Sequence, residues 1–174
     1  MSTMRPTGPL AAVSRHLQGF SRRLYRGGRP GRLARTMNRM AAAQYAAGFL
    51  APRRAVTLEV RGRQTGRTVS FPLVLVEAEG DRYLVSMLGR EVNWIRNVRA
   101  DGGRATLRRG GREAVRLEEV EDAALRARVL RRYLQLAPGA RPHIAVDRHA
   151  SLAEFEQVGD RYPVFRLVPA GPRA

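Results

Sequence analysis

The stretch that decides the fold is residues 55–76, which read AVTLEVRGRQTGRTVSFPLVLV. Apolar and polar side chains alternate from residue 55 to residue 61, which is the period of a half-buried strand. A glycine-bracketed turn follows at residues 62–67, and a longer apolar strand runs from Thr68 to Val76. Pro72 interrupts this second strand, so we expect an edge or a bulge at that point. The stretch therefore predicts two neighbouring strands of a sheet.

Further strands and helices are predicted as far as residue 168. The predicted strands are Arg82–Leu88, Ala105–Arg109, Glu113–Glu118 and Val164–Val168, of which the second and third form a hairpin around Gly110-Gly111. The predicted helices are Glu91–Ala100, Asp122–Leu136 and a short helix that opens with the capping box Ser151–Glu154. A loop that contains Pro and Gly runs from Ala137 to Ala150. Six short strands, mostly linked by hairpins, indicate a mostly β, largely antiparallel barrel.

The composition excludes several kinds of site. The chain has 174 residues, about the size of one domain, and 32 basic residues stand against 15 acidic ones for a net charge of +17. All the basic residues are Arg, and Cys is absent. Without Cys there is no disulfide framework, thiolate metal site or cysteine nucleophile. The three His are scattered, so no metal site is predicted.

The positive charge is concentrated in the first 54 residues, which hold eleven Arg and no acidic residue. We therefore divide the chain into a cationic arm (residues 1–50) and a barrel domain (residues 51–170). Within the arm, residues 10–24 form a predicted amphipathic helix, and a second helical pattern covers residues 31–50. The arm could cover the barrel or attach to an anionic membrane surface. Nucleic acid is disfavoured, because aromatic residues are not interleaved with the charge and no recognised nucleic-acid motif accompanies it.

The location expected from the sequence is the cytoplasm, with the arm allowing a peripheral position on the inner face of the cell membrane. The longest apolar run, residues 41–51, is shorter than the roughly 18–20 residues of a membrane span. The first residues show no apolar core followed by a small-residue cleavage site, so no signal peptide is predicted.

The motifs point to cofactor chemistry. The chain has no nucleophile elbow, P-loop, dinucleotide fingerprint or His/carboxylate cluster, so a bound cofactor would carry any reaction. Two places could hold an anionic cofactor. One is the turn at residues 62–67, where Arg63 and Arg67 could meet a phosphate. The other is the start of the predicted helix 91–100.

The order of these motifs resembles the deazaflavin-dependent nitroreductase family, also called F420H2-dependent quinone reductases. The resemblance spans roughly residues 50–170, and its motifs are Gly62-Arg63-Gln64-Thr65-Gly66-Arg67, Pro72-Leu73, Gly80-x-x-Tyr83-Leu84-Val85-Ser86 and Asn93-Trp94-x-x-Asn97. It implies a split β-barrel, similar to the FMN-binding split barrels, that binds coenzyme F420 rather than FMN. F420 is a hydride-carrying deazaflavin with a phosphate and an oligoglutamate tail.

The resemblance also implies the site residues. Those at the phosphate end are Arg63, Gln64 and Thr65, and the other two residues of the turn assigned to the cofactor are Gly66 and Arg67. Those along the cofactor are Val69, Pro72, Leu73 and Val74, followed near the ring by Ser86 and Met87, and the site is completed by Asn93, Trp94 and Asn97. Trp94 can stack on a ring or fill the core.

Two departures from the family pattern concern charge and the acceptor loop. The family commonly has Lys where this chain has Gln64, and a basic residue where it has Val69; Arg67 could supply the missing charge. The loop from Ala137 to Ile144 lacks the Tyr residues of members that reduce quinones or nitro compounds.

The function that the resemblance implies is an oxidoreductase. Reduced F420 would donate hydride to a small hydrophobic, electron-poor acceptor, such as a quinone, an enone or a nitro compound. A proton donor is then needed, and Ser86 is the first candidate, with His143 the second. Ser86 could instead bond to backbone at a strand end, and His143 could be an exposed loop residue. The alternative function is a non-catalytic cationic module that binds lipid, membrane or a polyanion.

Overall fold

The structure, a computed structural model, describes residues 54–171. Within that range the strands are β1 (Ala55–Arg61), β2 (Thr68–Ala78), β3 (Asp81–Val85), β4 (Arg104–Arg108), β5 (Arg112–Glu119) and β6 (Val164–Pro169). The α-helices are α1 (Asn93–Ala100), α2 (Ala123–Leu136) and α3 (Leu152–Gly159), and a 3-10 helix covers Pro138–His143.

The strands form a closed barrel in which neighbours follow the order β1-β2-β3-β6-β5-β4. All six pairings are antiparallel, so the predicted split β-barrel is confirmed. The register of β1 and β2 runs from Ala55 opposite Val74 to Arg61 opposite Thr68. The turn at residues 62–67 therefore emerges directly from the end of this ladder.

Part of β2 has an open edge. Only residues 75–78 pair with β3, whereas residues 68–74 pair with β1 alone among the described strands. The Leu75 N–H donates to the Arg54 carbonyl on the β1 side at 2.9 Å. Because N–H groups alternate in direction along an antiparallel strand, the backbone nitrogen of Pro72 faces the open side. A proline there removes no ladder hydrogen bond, and the edge predicted at Pro72 is confirmed.

The alternation of side chains produces two apolar clusters. The first fills the barrel and includes Leu58, Leu75 and Phe165, to which α1 adds Trp94 and Ile95. The second joins the outer face of β2 and β3 to α2 and α3, with members such as Val76, Tyr83, Leu130, Tyr133 and Phe155. Burial raises the pKa of Tyr133, because the apolar surroundings disfavour its charged form.

Some element boundaries differ from the prediction. β3 ends at Val85 rather than Leu88, because the chain turns through a bond from the Ser86 hydroxyl to the Gly89 carbonyl. The first helix begins at Asn93 rather than Glu91. The predicted loop 137–150 contains the 3-10 helix. The Ser151–Glu154 capping box is present with both of its hydrogen bonds.

Two further observations concern the described part of the chain. No helix within residues 54–171 is long and apolar enough to cross a membrane. The same residues contain no group of His and acidic side chains that could hold a metal ion. The cationic arm, with its predicted helices at 10–24 and 31–50, lies outside the described residues.

Candidate cofactor site

The turn at residues 62–67 is a tight loop that depends on two glycines. The Gly62 N–H donates to the Arg67 carbonyl at 2.8 Å, and the Gly66 N–H donates to the Gly62 carbonyl at 2.7 Å. Gly66 has a φ of 66°, which favours glycine. A Cβ on Gly62 would lie 3.1 Å from the Arg67 carbonyl oxygen. Both positions therefore favour a residue without a side chain.

The tip of this turn presents free donors. Within residues 54–171, no acceptor bonds to the backbone N–H of Gln64 or Thr65. The side chains of Gln64 and Thr65 are also exposed. Successive unpaired N–H groups in a turn form a concavity that suits an anion.

Arg63 connects the turn to α1 through Asn97. The Asn97 Oδ1 atom accepts one hydrogen bond from the Arg63 guanidinium Nη1 at 2.9 Å and another from the Arg63 backbone N–H at 3.3 Å. Asn97 is 5% exposed, so its amide is held by the packing around it. The two motifs that the sequence placed in one site are therefore in direct contact.

The position of α1 is fixed by its buried face and by one carboxylate. Trp94 is fully buried and packs edge-on against Phe165, with ring centroids 5.3 Å apart. The two carboxylate oxygens of Glu119 on β5 bind two arginine side chains. Arg90 lies just before α1, and Arg99 lies in the last turn of α1. Both ends of the helical segment are thus attached to the barrel wall.

Burial decides between the two roles considered for Trp94. At 0% exposure it has no face open to a ligand, so it fills the core beneath the site. Its Nε1–H has no hydrogen-bond partner within the described residues. Asn93, at the start of α1, is half-buried.

Most described arginines away from the turn pair with carboxylates. The Arg82 Nη2 atom lies 2.6 Å from the Glu113 Oε1 atom, and similar pairs include residues of all six strands. The hydrogen bond from Arg54 lowers the pKa of Glu77, and that from Arg82 lowers the pKa of Glu113. These guanidinium groups are therefore already neutralised by the protein.

The arginines around the turn differ in this respect. No carboxylate within residues 54–171 pairs with Arg61, Arg63 or Arg67. Arg61 and Arg67 make no side-chain hydrogen bond to the described part of the chain at all. Sequence reasoning selected Arg63 and Arg67 but not Arg61, although its place directly before Gly62 could have indicated it.

The β2 residues assigned to the cofactor do not share one face. Val69 and Leu73 pack into the cluster inside the barrel, whereas Val74 belongs to the outer cluster beneath α2. Pro72 is half-exposed and lies on the same face as Val74. Residues 69–74 therefore do not present one row of side chains to a cofactor. What they share is their position along the open edge of β2.

The two candidate proton donors lie in different surroundings. Ser86 is 2% exposed and donates its hydroxyl proton to the Gly89 carbonyl at 2.7 Å. Met87 beside it is buried in the outer cluster with Val74. His143 is exposed at the end of the 3-10 helix. Ser86 therefore has the turn-forming role, and His143 is the candidate with an accessible side chain.

The family is decided by a match that covers most of the chain. The model described as F420H(2)-dependent quinone reductase matches residues 31–151. This chain belongs to that family. None of the curated proteins compared with the chain matches it.

Several solved structures are similar to the chain. An F420-H2 dependent reductase (FDR-A) is 24% identical, with 67% of this chain and 95% of that chain covered and a TM-score of 0.43. A putative pyridoxamine 5'-phosphate oxidase from Listeria innocua is 13% identical over 76% and 96% of the two chains, with a TM-score of 0.46. A putative 5-nitroimidazole antibiotic resistance protein from Bacteroides thetaiotaomicron is 13% identical over 75% and 77%, also with a TM-score of 0.46.

Coenzyme F420 is the cofactor of this family, and the donors around the turn fit its anionic end. A phosphate accepts hydrogen bonds from guanidinium groups and from unpaired backbone N–H groups. Both kinds of donor are present, on Arg63 and Arg67 and at Gln64 and Thr65. The donors of Arg63, Gln64 and Thr65 therefore suit the phosphate that the resemblance assigned to them, and the guanidinium of Arg67 suits the same anion.

Proposed function

We propose that this F420-dependent oxidoreductase reduces a small, hydrophobic, electron-poor acceptor, such as a quinone, an enone or a nitro compound. Reduced F420 supplies the hydride when it is bound. The observation that supports the proposal is a turn with unneutralised arginines that is attached to α1 through Asn97. A non-catalytic cationic module would not need that attachment.

The residues of the site have separate tasks in this proposal. The guanidinium groups of Arg63 and Arg67 bind the phosphate, and the turn presents the N–H groups of Gln64 and Thr65 to it. Asn97 orients Arg63, and the buried Trp94 supports α1 from below. The exposed His143 gives a proton to the reduced acceptor.

The cofactor part of the proposal is tested by fluorescence titration. The protein is expected to bind F420 more tightly than FMN, and its affinity for F420 should fall as salt is added. Ion pairs at an exposed site are screened over about 8–10 Å at moderate ionic strength. Arg132→Ala is a matched control, because Arg132 is exposed on α2 and, among residues 54–171, bonds only to Gln135. Tighter binding of FMN would contradict the proposal.

The acceptor part is tested by the oxidation of reduced F420. A quinone, an enone and a nitroaromatic compound are supplied separately, and the rate is followed by the return of F420 fluorescence. We expect turnover with at least one of them, with a rate that saturates in the acceptor. A protein that binds F420 but reduces none of the three would contradict this part alone.

We also propose that the arm, residues 1–50, attaches the enzyme loosely to an anionic membrane surface. The support is the sequence pattern of residues 10–24, with an apolar stripe backed by Arg. A lipid-soluble acceptor such as a quinone would then be encountered in the membrane where it dissolves.

A further inference from the structure

Arg61 lies beside the tip of the turn although it is the last residue of β1. It pairs with Thr68 in the β1–β2 ladder, and its side chain is exposed. Its Nε and Nη2 atoms lie 3.7 Å from the position that a Cβ on Gly66 would occupy. The guanidinium of Arg61 therefore extends forward over the turn.

The nearest carboxylate on the same strand face is already occupied. Glu59 precedes Arg61 by two residues, so both side chains leave β1 on the same side. One Glu59 oxygen accepts Arg108 Nη1 at 3.0 Å, and the other accepts Arg112 Nη2 at 2.7 Å. Glu59 is 8% exposed, so its carboxylate is covered, while the two arginine side chains that bind it are exposed. Arg108 and Arg112 thus take the partner that Arg61 would otherwise have.

The result is a concentration of positive charge without a counterion in the described part of the chain. Arg61, Arg63 and Arg67 fall within seven consecutive residues. Like charges at such short spacing repel one another, and a bound anion would relieve this repulsion. Within residues 54–171, the only side-chain hydrogen bond made by these three arginines is the one from Arg63 to the neutral amide of Asn97.

We infer that Arg61 is a third phosphate-binding arginine of the cofactor site. This inference rests on the proposed function, and it concerns a position outside the motif that carries the family resemblance. Gln64 in the turn and Val69 at the start of β2 stand where the family pattern commonly has basic residues. Arg61, at the end of β1, places a further guanidinium group beside Gly66. This group binds the phosphate of F420.

The test compares Arg61→Gln with the native protein against two probes. The first probe is F420, and the second is the deazariboflavin fragment that lacks the phosphate and the glutamates. The substitution should weaken F420 binding about tenfold, because a charge-assisted hydrogen bond is lost. Binding of the deazariboflavin fragment should not change. Arg61→Lys should restore part of the affinity, and Arg132→Gln serves as the control.

A second measurement separates binding from a structural role. The melting temperature of ligand-free Arg61→Gln should equal or exceed that of the native protein, because the repulsion around the turn is reduced. A lower melting temperature, or equal weakening for both probes, would assign Arg61 a structural role and overturn the inference.

The failures of the two proposals can be told apart. If the native protein binds F420 and Arg61→Gln binds it equally well, the inference is wrong while the proposed function stands. If the native protein does not bind F420, the proposed function is wrong and the inference fails with it.

Discussion

One oxygen atom of Asn97 holds both the backbone and the side chain of Arg63. The distances are 3.3 Å from the backbone N–H and 2.9 Å from the guanidinium Nη1. Because Asn97 is buried on α1 and Arg63 lies at the exposed turn, this contact transmits the rigid position of the helix to the anion site. The bonds leave the other guanidinium nitrogens of Arg63 available to a ligand.

This relationship predicts coupling between the two residues. Asn97→Ala should destabilise the protein by about 1–3 kcal/mol, because a partly buried donor loses its acceptor. Arg63→Ala and Asn97→Ala should each weaken F420 binding. The variant that carries both substitutions should lose less affinity than the sum of the losses in the two single variants. Chemical denaturation and F420 titration measure the two effects, with Gln157→Ala on the exposed side of α3 as a control. Strictly additive losses would show that Asn97 does not position Arg63.

The second prediction concerns the position where this chain has Gln64. Gln64→Lys should raise the affinity for F420 only slightly, because Arg67 and its neighbours already provide positive charge. Arg67→Ala should reduce the binding free energy by about 1–3 kcal/mol, as expected for a charge-assisted hydrogen bond. A large gain from Gln64→Lys, together with no loss from Arg67→Ala, would mean that Arg67 does not face the phosphate.

The third prediction distinguishes the two candidate proton donors. Ser86→Ala should destabilise the fold by about 1 kcal/mol, because the Gly89 carbonyl loses its donor, while kcat stays unchanged. His143→Gln should leave the melting temperature unchanged and lower kcat by roughly a hundredfold, the lower range for a general acid. Steady-state kinetics at saturating F420 would measure both. If His143→Gln has the same kcat as the native protein, the acceptor takes its proton from solvent and not from His143.

The fourth prediction is a loss of stability in acid. Arg54 lowers the pKa of Glu77, and Arg82 lowers the pKa of Glu113, each below the usual value of 4.5. A carboxylate with a lowered pKa in the folded state stabilises the protein above its unfolded pKa, and this contribution disappears as the pH falls through the folded value. Melting temperatures should therefore decrease on acidification through that range.

Arg82→Gln provides the comparison for this prediction. It should be less stable than the native protein near neutral pH, and the difference should shrink as the pH falls below 4.5. Because both side chains of the pair are partly exposed, the difference will be small. A difference that does not change with pH would assign the effect to packing.

The fifth prediction concerns the arm. The full-length protein should sediment with anionic vesicles at low salt and be released as salt is added, whereas a form that lacks residues 1–50 should stay in the supernatant. Each basic residue close to an anionic leaflet contributes about 1 kcal/mol, so engagement of a few arginines gives reversible attachment. Neutral vesicles are the control. Equal recovery of both forms in the supernatant, or a truncated barrel that does not fold, would favour an arm that packs on the barrel.

The sequence was most informative where a local pattern determines the structure. The alternation before the turn at residues 62–67 predicted β1, the apolar run after it predicted β2, and the Ser151–Glu154 spacing predicted the start of α3. The resemblance placed Arg63 and Asn97 in one site, and they prove to be in contact. Alternation and capping act over a few residues, so they can be read without knowledge of the fold.

Contacts between distant parts of the chain were not predictable in the same way. Glu59 binds Arg108 and Arg112, which are 49 and 53 residues away from it, and the sequence near Arg61 gives no sign of these pairs. The early end of β3 depends on a single hydroxyl bond at Ser86, and an apolar run gives no sign of it. The burial of Trp94 depends on its packing against Phe165, which belongs to the last strand.

The proline on the open side of β2 has a consequence for how these molecules meet one another. An exposed strand edge offers its backbone to any extended chain, and two copies of a protein can join through such edges. Pro72 leaves a gap in the row of donors midway along residues 68–74, so an incoming strand cannot form a continuous ladder there. Sheet extension by a second copy of the protein along residues 68–74 would therefore be interrupted at Pro72, whereas a small ligand needs no continuous ladder.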